Sequence, residues 1–339
     1  MSTSMTGGTG GTGGAGSTGG PGGSGSTAID YTLLTSFGSP LGSPARLEPS
    51  VRPMLRIGLV QMRWQPDAEA HDEALRAGVR IAAEQGATMV CLPELTRSPY
   101  FAADAAMAVD APRFAEDLTD GPTARLAAEL AKELNIVVHA SLYERAADGG
   151  LGYNTAICVD AEGRMLARTR KNHIPEFPGY HENLCFRPGD SGFPVVPIDN
   201  VSFGFPTCWD EWFPELARAY ALAGAQVLVH PTAIGSEPEL PEFDTRPMWE
   251  HAISANGLAN ALFQIVPNRV GPEGRITFYG SSFISDPYGR VILRAPRDKP
   301  AVLVADLDLD QRRDWLEFGL VYTRRPEIYG PLTTPMTRE

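Results

Sequence analysis

Apolar and polar positions alternate along this chain in a way that predicts strands and amphipathic helices from about residue 54 onward. Short apolar runs predict buried strands, and apolar residues three or four positions apart predict helices. In the first half the predicted elements are a strand at 55–62, a helix at 69–86, a strand at 88–94, a helix at 120–135 and strands at 136–144, 153–160 and 164–171. The last two strands flank the tripeptide AEG, which predicts a hairpin.

The second half of the chain again alternates predicted strands and helices, after a long polar loop at 172–200. Its predicted elements are a strand at 201–207, a helix that begins at Pro214, a strand at 226–232, a helix at 247–261, a strand at 262–270 and three consecutive strands within YGSSFISDP, RVILRA and AVLVADLDL. Helices paired with strands, followed by runs of hairpin strands, predict an α/β fold with two mixed sheets and helices outside them. The expected architecture is a four-layer α-β-β-α sandwich.

The composition of the first 53 residues sets the predicted boundary of this domain. Residues 1–26 consist almost wholly of Gly, Ser and Thr and carry no charged side chain. Such a segment has little apolar area to offset its ordering entropy, so we expect a disordered tail. Residues 27–53 add a few apolar groups among Gly, Pro and Ser, and we expect a loose lead-in. The folded domain is therefore predicted at 54–332, with a short C-terminal tail at 333–339.

Charge and cysteine usage narrow the class of protein. The net charge of −12 argues against nucleic acid and anionic membrane surfaces as partners, because both attract basic patches. No run approaches the roughly 18 apolar residues of a membrane span, and the first basic residue is Arg46, so a secretory signal is not expected. The four cysteines show neither C-x-x-C pairs nor zinc-type spacing. We therefore expect a cytoplasmic protein in a reducing environment.

Three ionisable residues stand where predicted strands end. Glu94 closes MVCLPE, Lys171 closes LARTRK and Cys208 closes FGFPTC. Taken singly, Glu94 is more often a helix cap and Lys171 more often a solvated charge. Together they supply a base, a cation for an oxyanion and a thiol nucleophile.

Cys208 lies in FPTCWDEWFPE, between a predicted strand and the helix that begins at Pro214. A position near the positive end of a helix dipole favours the thiolate, which is the reactive form. A buried sheet cysteine is the competing interpretation, and the more frequent one for a lone cysteine. A Cys–His pair is a further alternative, because His173 lies two residues from Lys171, but nothing in the histidine spacing selects a base.

Six blocks of the sequence resemble the nitrilase superfamily of carbon–nitrogen hydrolases, in the order in which that superfamily has them. They lie between about residues 56 and 330 and read LPELTRSPYF, RKNHIPEFPGYHE, CWDEWFPE, PTAIGSEP, FYGSSFISDPYG and RRPEIYG. The resemblance implies that Cys208 is the nucleophile, Glu94 the general base and Lys171 the oxyanion-stabilising cation. It also implies that Glu182 lies beside this triad, a role for which the residues alone do not distinguish Glu182 from Glu176. The implied chemistry is acyl transfer that needs no metal and no cofactor.

Within the superfamily, the motifs HIP-x-x-PGY-x-E, CWD-x-WFPE and PTAIGSEP are most similar to those of N-carbamoylputrescine amidases. This likeness implies a small-molecule carbamoyl amine substrate, hydrolysed to putrescine, ammonia and carbon dioxide. It implies that Glu237 meets the distal ammonium of the substrate and that Tyr100 and Tyr180 lie near the same substrate-binding pocket. We expect Trp209 and Trp212 to wall that pocket. Aromatic walls with an acid at the far end suit an aliphatic diamine chain.

Glu211 stands where relatives that hydrolyse carbamoyl amino acids generally carry an arginine, whose fork suits a carboxylate. An acid there either binds an amine or pairs with a neighbour such as Arg218, and we favour the pair.

One alternative function for the protein is that of another carbamoyl or aliphatic amide hydrolase, such as a β-ureido acid hydrolase that would use Arg324 or Arg325. A non-catalytic partner protein on the same fold is the other. The resemblance also implies a homodimer or larger homo-oligomer, in which TRRPEIYG reaches a neighbouring subunit.

Overall fold

The computed structural model describes residues 29–336, in which strands and helices alternate. The strands are β1 (Thr32–Ser36), β2 (Leu55–Gln61), β3 (Met89–Cys91), β4 (Val137–Glu144), β5 (Tyr153–Val159), β6 (Met165–Arg170), β7 (Glu176–Phe177), β8 (Tyr180–His181), β9 (Val195–Ile198), β10 (Val201–Gly204), β11 (Val227–Val229), β12 (Phe263–Val266), β13 (Val270–Glu273), β14 (Ile276–Tyr279), β15 (Phe283–Ser285), β16 (Val291–Arg294) and β17 (Ala301–Leu307). The α-helices are α1 (Ala68–Glu84), α2 (Ala105–Val109), α3 (Pro122–Leu134), α4 (Pro214–Leu222), α5 (Arg246–Asn260) and α6 (Asp310–Glu317).

Most strands belong to two mixed sheets. The first sheet has seven strands in the order β1-β17-β2-β3-β4-β5-β6, and the second has six in the order β16-β15-β12-β11-β10-β9. In each sheet a parallel centre (β2–β3–β4 and β10–β11–β12) is flanked by antiparallel neighbours. The predicted hairpin of β5 and β6 is present.

The two sheets face each other, and helices cover their outer faces. Side chains of both sheets share one core, which includes Leu303 of β17 and Val229 of β11. Helices α1 and α3 bury apolar side chains such as Leu130 against the first sheet, and α4 and α5 cover the second. Each fully buried aliphatic side chain contributes about 1.5–3 kcal/mol, so these layers hold the fold together. The predicted α-β-β-α sandwich with two mixed sheets is confirmed.

Strand β2 shows how the sequence sorts its residues between layers. Ile57 and Leu59 face the second sheet, while Val60 lies on the opposite face against helix α1. Gly58 also lies on the helix side, where a Cβ atom would come within 2.9 Å of the Cβ of Ala82. The alternation follows from the two-residue period of a strand, and the missing side chain lets α1 approach closely.

Strand β1 corrects the predicted domain boundary. Residues 32–36 pair in parallel with β17 and extend the first sheet, so the expectation of a loose lead-in is wrong for this stretch. Without β1, strand β17 would present an edge of unpaired N–H and C=O groups. The short run YTLLTSF covers that edge, which a composition rich in Gly, Pro and Ser concealed. The predicted disordered tail at 1–26 lies outside the described residues.

The second half of the chain differs from expectation in its connections. Strand β17 does not extend a run of hairpins but returns to the first sheet, where it pairs antiparallel with β2. The loop at 172–200 contains the short pair β7–β8 and the edge strand β9. Helices α2 and α6 and the hairpin β13–β14 were also not predicted, because each is short and has a weak apolar period. No helix within residues 29–336 is long and apolar enough to cross a membrane.

Candidate active site

The ends of strands from both sheets supply the candidate catalytic residues. Glu94 follows β3 and Lys171 follows β6 in the first sheet, whereas Cys208 follows β10 in the second. The structure brings all three together with Glu182, which begins a short 3-10 helix at Glu182–Leu184. Glu182 and Cys208 both line one cavity.

Lys171 is the centre of a buried ion cluster. Its Nζ lies 2.9 Å from Oε1 of Glu94, and 2.9 and 2.7 Å from the two carboxylate oxygens of Glu182. All three side chains are shielded from solvent. Burial lowers the pKa of Lys171, but the negative charges of Glu182 and Glu94 outweigh it and raise that pKa well above its usual value. Lys171 is therefore a fixed cation in a region of low dielectric constant.

Neighbouring donors orient the two carboxylates of this cluster. The amide of Asn154 donates to Oε1 of Glu94 at 2.7 Å, and the hydroxyl of Tyr100 donates to Oε1 of Glu182 at 2.8 Å. The second oxygen of Glu94, Oε2, is buried and has no hydrogen-bond partner within residues 29–336. A carboxylate oxygen left free in this way is available to accept a proton.

Burial and the negative charge of Glu94 raise the pKa of Glu182 to about 7, although Lys171 opposes the shift. The largest cause is the burial of a carboxylate, whose charged form is poorly solvated in the interior. Glu182 therefore changes its charge near neutral pH, whereas Lys171 keeps its own.

Cys208 begins a tight turn with an unusual backbone. It opens the 3-10 helix Cys208–Trp212 with φ of 45°, in the left-handed region that costs a non-glycine residue about 1–3 kcal/mol. Its N–H donates to the carbonyl of Pro231 at 3.0 Å, and its Sγ lies 3.9 Å from the carbonyl oxygen of Ala233. The segment after β11 thus holds the turn from one side.

Asp210 holds the same turn from the other side. Its carboxylate accepts hydrogen bonds from the N–H groups of Thr207 at 3.1 Å and of His173 at 2.9 Å, two residues after Lys171. The ring of His173 bonds to the same carboxylate at 2.7 Å and stacks on Phe213. His173 is therefore part of the scaffold that aligns Lys171 with Cys208, which disfavours the Cys–His alternative.

The position of Cys208 in the sequence suggested that a helix dipole favours its thiolate. The structure does not support this expectation. Helix α4 begins only at Pro214, beyond the 3-10 turn. Burial and the negative charge of Glu94 raise the pKa of Cys208 well above its usual value, and Lys171 offsets only part of this. At neutral pH Cys208 is consequently a protonated thiol, which would need a base to remove its proton before it could act as a nucleophile.

The cavity above this cluster is about 370 Å³ in volume and mostly apolar. Beside Cys208 and Glu182 it is lined by Pro175, Phe177, Tyr180, Trp209, Trp212, Ala233, Ile234, Glu237, Leu240, Phe243, Thr245 and Met248. Within the described part of the chain no arginine or lysine lines it. Glu237 is half-buried, and burial raises its pKa, partly offset by the hydroxyl of Thr245.

Two predicted roles differ from the structure. Tyr100 is fully buried and does not line the cavity, because its hydroxyl supports Glu182 from behind. Glu211 does not pair with Arg218, which instead donates to the carbonyl of Ala259. Tyr180, Trp209 and Trp212 line the cavity.

Comparison with known proteins places this site in a family. The profile described as "Carbon-nitrogen hydrolase" matches residues 56–317. The chain belongs to the carbon–nitrogen hydrolase family. Its relatives include the N-carbamoylputrescine amidase of Arabidopsis thaliana, 37% identical over 290 residues that cover 82% of this chain and 95% of the relative. They also include a citrullinase of Francisella tularensis, 37% identical over 292 residues, with 82% and 98% coverage.

Solved structures of carbon–nitrogen hydrolases share the fold. One from Helicobacter pylori G27 superposes with a TM-score of 0.76 at 30% identity and covers 83% of this chain and 99% of its own. An amidase from Nesterenkonia sp. AN1 has a TM-score of 0.64 at 25% identity, with 81% and 95% coverage. In that structure, which is of a single-residue mutant of the amidase, the acetamide moiety of fluoroacetamide is covalently attached to the active-site cysteine. As a carbon–nitrogen hydrolase, the present chain is an enzyme that acts on amides or ureido compounds.

Sequence reasoning missed the residues that orient this carbon–nitrogen hydrolase site. Asn154 lies inside β5, and Asp210 lies inside the turn Cys208–Trp212. Arg269 donates to the carbonyl of Glu94 at 3.1 Å from a distant loop. Their spacing carries no local signal, because each acts through a tertiary contact. No cluster of three or more His, Cys, Asp or Glu side chains suited to a metal ion occurs between residues 29 and 336.

Proposed function

We propose that this carbon–nitrogen hydrolase cleaves N-carbamoylputrescine, with Cys208 as nucleophile, Glu94 as general base and Lys171 as the oxyanion-stabilising cation. In the first step Glu94 takes the thiol proton while Sγ attacks the ureido carbonyl. The developing oxyanion lies against Lys171 and the backbone N–H of Trp209, a preorganised electrostatic environment. The C–N bond to the terminal amide nitrogen breaks, and that nitrogen leaves as ammonia with the proton from Glu94.

A carbamoylated cysteine remains after ammonia has left. Glu94 then removes a proton from water, the hydroxide attacks the thioester-type carbonyl, and the Cys208 thiol is restored. The released carbamate breaks down to putrescine and carbon dioxide. Every proton moves through Glu94, which fits the free Oε2 oxygen of that carboxylate. The covalent cysteine adduct in the Nesterenkonia amidase supports the same nucleophilic role here.

The charge pattern of the cavity carries the substrate proposal. Apart from the buried cluster, the one ionisable carboxylate lining it is Glu237, and no cation from the described residues lines it. Citrulline and N-carbamoyl-β-alanine both bring a carboxylate that would need a cationic partner. Arg324, considered for that role, lines a separate cavity with Arg218. An aminoalkyl tail between Trp209, Trp212 and Glu237 suits the observed lining better.

The test is ammonia release from N-carbamoylputrescine, citrulline and N-carbamoyl-β-alanine under identical conditions. We expect kcat/KM for N-carbamoylputrescine to exceed the other two, and Cys208→Ala to abolish turnover. Glu237→Gln should raise KM for N-carbamoylputrescine about tenfold or more, since it removes the partner of a partly buried ammonium. The matched control is Glu239→Gln, two residues away, because that exposed carboxylate pairs with Arg275 on the surface. Preference for citrulline would contradict the substrate assignment.

We also propose a cytoplasmic, homo-oligomeric enzyme. The four cysteines are free and buried, which suits a reducing compartment. The C-terminal segment leaves large apolar side chains exposed, namely Phe318, Leu320, Tyr322, Ile328 and Leu332. Exposed apolar patches of this kind typically mark protein contacts. Light scattering after gel filtration would detect a dimer or larger species, and a monomer at micromolar concentration would contradict the proposal.

A further inference from the structure

Glu211 is a buried carboxyl group that the proposed mechanism does not use. It lies three residues after Cys208 in the turn Cys208–Trp212, here called the nucleophile turn. Its side chain is 2% exposed and does not line the substrate cavity. Within the described residues no cation forms an ion pair with it. Its carboxyl oxygens instead meet the indole N–H of Trp249 and the hydroxyl of Thr232.

The hydrogen-bond distances around Thr232 indicate the protonation state of the Glu211 carboxyl group. The Oγ1 atom of Thr232 lies 2.8 Å from the carbonyl oxygen of His230 and 3.2 Å from Oε2 of Glu211. A hydroxyl group has one hydrogen to donate, and the shorter contact to the carbonyl of His230 takes it. The contact between Thr232 and Glu211 then contains a hydrogen atom only if the carboxyl group supplies it.

Electrostatics favour the same state. Burial raises the pKa of Glu211 well above its usual value, and its contacts with Trp249 and Thr232 only partly offset this. The charged and titratable groups that face it are Glu94, which disfavours its ionisation, and Lys171, which favours it, together with Cys208 and Tyr279. Lys171 already has two carboxylate partners, so a third buried negative charge would lack compensation.

The contacts of Glu211 connect the parts of the active site. Through Trp249 it ties the nucleophile turn to helix α5, and its own carbonyl accepts a hydrogen bond from Asn256 of the same helix at 2.9 Å. Through Thr232 it ties the turn to the segment 231–233, which bonds to the N–H of Cys208 and contacts its Sγ. The carbonyl of Thr232 also accepts the N–H of Glu94 at 3.4 Å.

We propose that Glu211 works as a neutral carboxylic acid, donating its hydrogen to Thr232 and positioning the turn of Cys208 against the segment that also holds Glu94. It is a positioning residue, because it touches neither the substrate cavity nor the reacting atoms. This inference rests on the proposed role of Cys208 as the nucleophile. In its ionised form Glu211 would place a negative charge near the thiol and hinder loss of the thiol proton.

The first test measures the charge of Glu211 without a substrate. Wild-type protein and Glu211→Gln are treated with iodoacetamide at pH 7, and alkylation of Cys208 is followed by peptide mass spectrometry, with Cys208→Ala as the blank. A neutral acid and an amide have nearly the same shape and charge, so we expect rates within about twofold. Removing a true negative charge would lower the pKa of Cys208 by about one unit and speed alkylation roughly threefold or more. A change of that size in either direction overturns the proposal.

The second test separates positioning from substrate binding. Glu211→Ala leaves Trp249 and Thr232 without their partner, and we expect kcat to fall about tenfold or more while KM changes less than about threefold. Glu211→Gln should restore kcat to near the wild-type value. A loss confined to KM, or an inactive Glu211→Gln that remains folded, would overturn the proposal. Full activity in Cys208→Ala would instead disprove the proposed mechanism, so the two failures are distinguishable.

Discussion

At the scale of single residues, the site depends on one ammonium shared by two carboxylates. Lys171 bonds to both Glu94 and Glu182, so the buried cluster carries one excess negative charge when all three are ionised. That excess, together with burial, raises the pKa of Glu182 to about 7. The thiol beside it also stays protonated. In the proposed mechanism, proton transfer from this thiol to Glu94 is therefore the step on which the chemistry depends.

A pH dependence follows from Glu182. Because its pKa is about 7 in the folded enzyme, Glu182 takes up a proton below that pH and Lys171 loses one counter-charge, so kcat/KM should fall as pH drops through 7. The hydrogen bond from Tyr100 lowers this pKa. Tyr100→Phe should therefore move the acid limb to higher pH, and Glu182→Gln should remove it while lowering kcat. Tyr143→Phe is the matched control, since that hydroxyl bonds to the carbonyl of Cys185. An unmoved limb in Tyr100→Phe would contradict this account.

Whether the role of a site residue can be predicted from the sequence depends on whether its contacts are local or tertiary. Glu94, Lys171 and Cys208 stand out in the sequence because each ends an apolar strand, and the ends of neighbouring strands share an edge. Tyr100 gives the same sequence signal as a pocket wall and as a support for Glu182, and only its tertiary placement separates the two. The protonation of Cys208 depends on burial, which a strand-to-helix pattern does not reveal.

At the scale of elements, β1 is the addition that the sequence pattern concealed. Leu34 packs against the core between the two sheets, whereas Leu33 on the opposite face of the strand is 41% exposed. Leu34→Asp should destabilise the protein by about 2 kcal/mol, because it places a charge against apolar neighbours. For a domain of this size that corresponds to a fall of roughly 3–4 °C in Tm. Differential scanning calorimetry would measure it.

Leu33→Asp is the control for that prediction, and its Tm should stay within about 1 °C of the wild type. Equal losses in both variants would show that β1 does not pack as described. The long elements α1, α3, β2 and β4 were predictable because their apolar periods extend over several residues. Short elements such as β9 and β13 form because a neighbouring strand offers hydrogen bonds, a cause that lies outside their own sequence.

At the scale of the whole molecule, the active site requires both sheets at once. The first sheet provides Glu94 and Lys171, and the second provides Cys208. Strand β17 lies near the end of the described chain, and β2 lies near the beginning of it. The two strands pair, so the last strand in the sequence belongs to the first sheet. The packing between the sheets therefore fixes the distances among the residues to which the proposed mechanism assigns catalytic roles.

Two histidines in that packed interior make a pH-dependent contribution to stability. His139 of β4 and His230 after β11 are buried, and His139 stacks on Phe205 at 5.4 Å. Neither ring nitrogen of His139 has a hydrogen-bond partner among residues 29–336. Burial, together with the nearby ring of His230, lowers the pKa of His139 to about 3, and burial lowers that of His230 to about 4.

These lowered pKa values determine whether the two histidines raise or lower the free energy of unfolding in acid. In the unfolded chain a histidine binds a proton below pH about 6.5, whereas in the folded protein His139 and His230 stay neutral down to pH 4 or below. At these two positions the unfolded state therefore binds more protons between these values, and the contribution of the two histidines to the free energy of unfolding falls as pH drops from 7 to 4. Each histidine should cost roughly 2 kcal/mol of stability at pH 5.

Urea unfolding at pH 7 and pH 5 would measure this loss. His139→Gln removes one titrating group while keeping a polar side chain of similar size, so the free energy of unfolding at pH 7 minus that at pH 5 should be roughly 2 kcal/mol lower than in the wild type. His251→Gln is the matched control, because His251 is exposed on helix α5 and should leave the difference unchanged. If both variants lost the same stability as the wild type between pH 7 and pH 5, the acid sensitivity would have to come from groups other than His139.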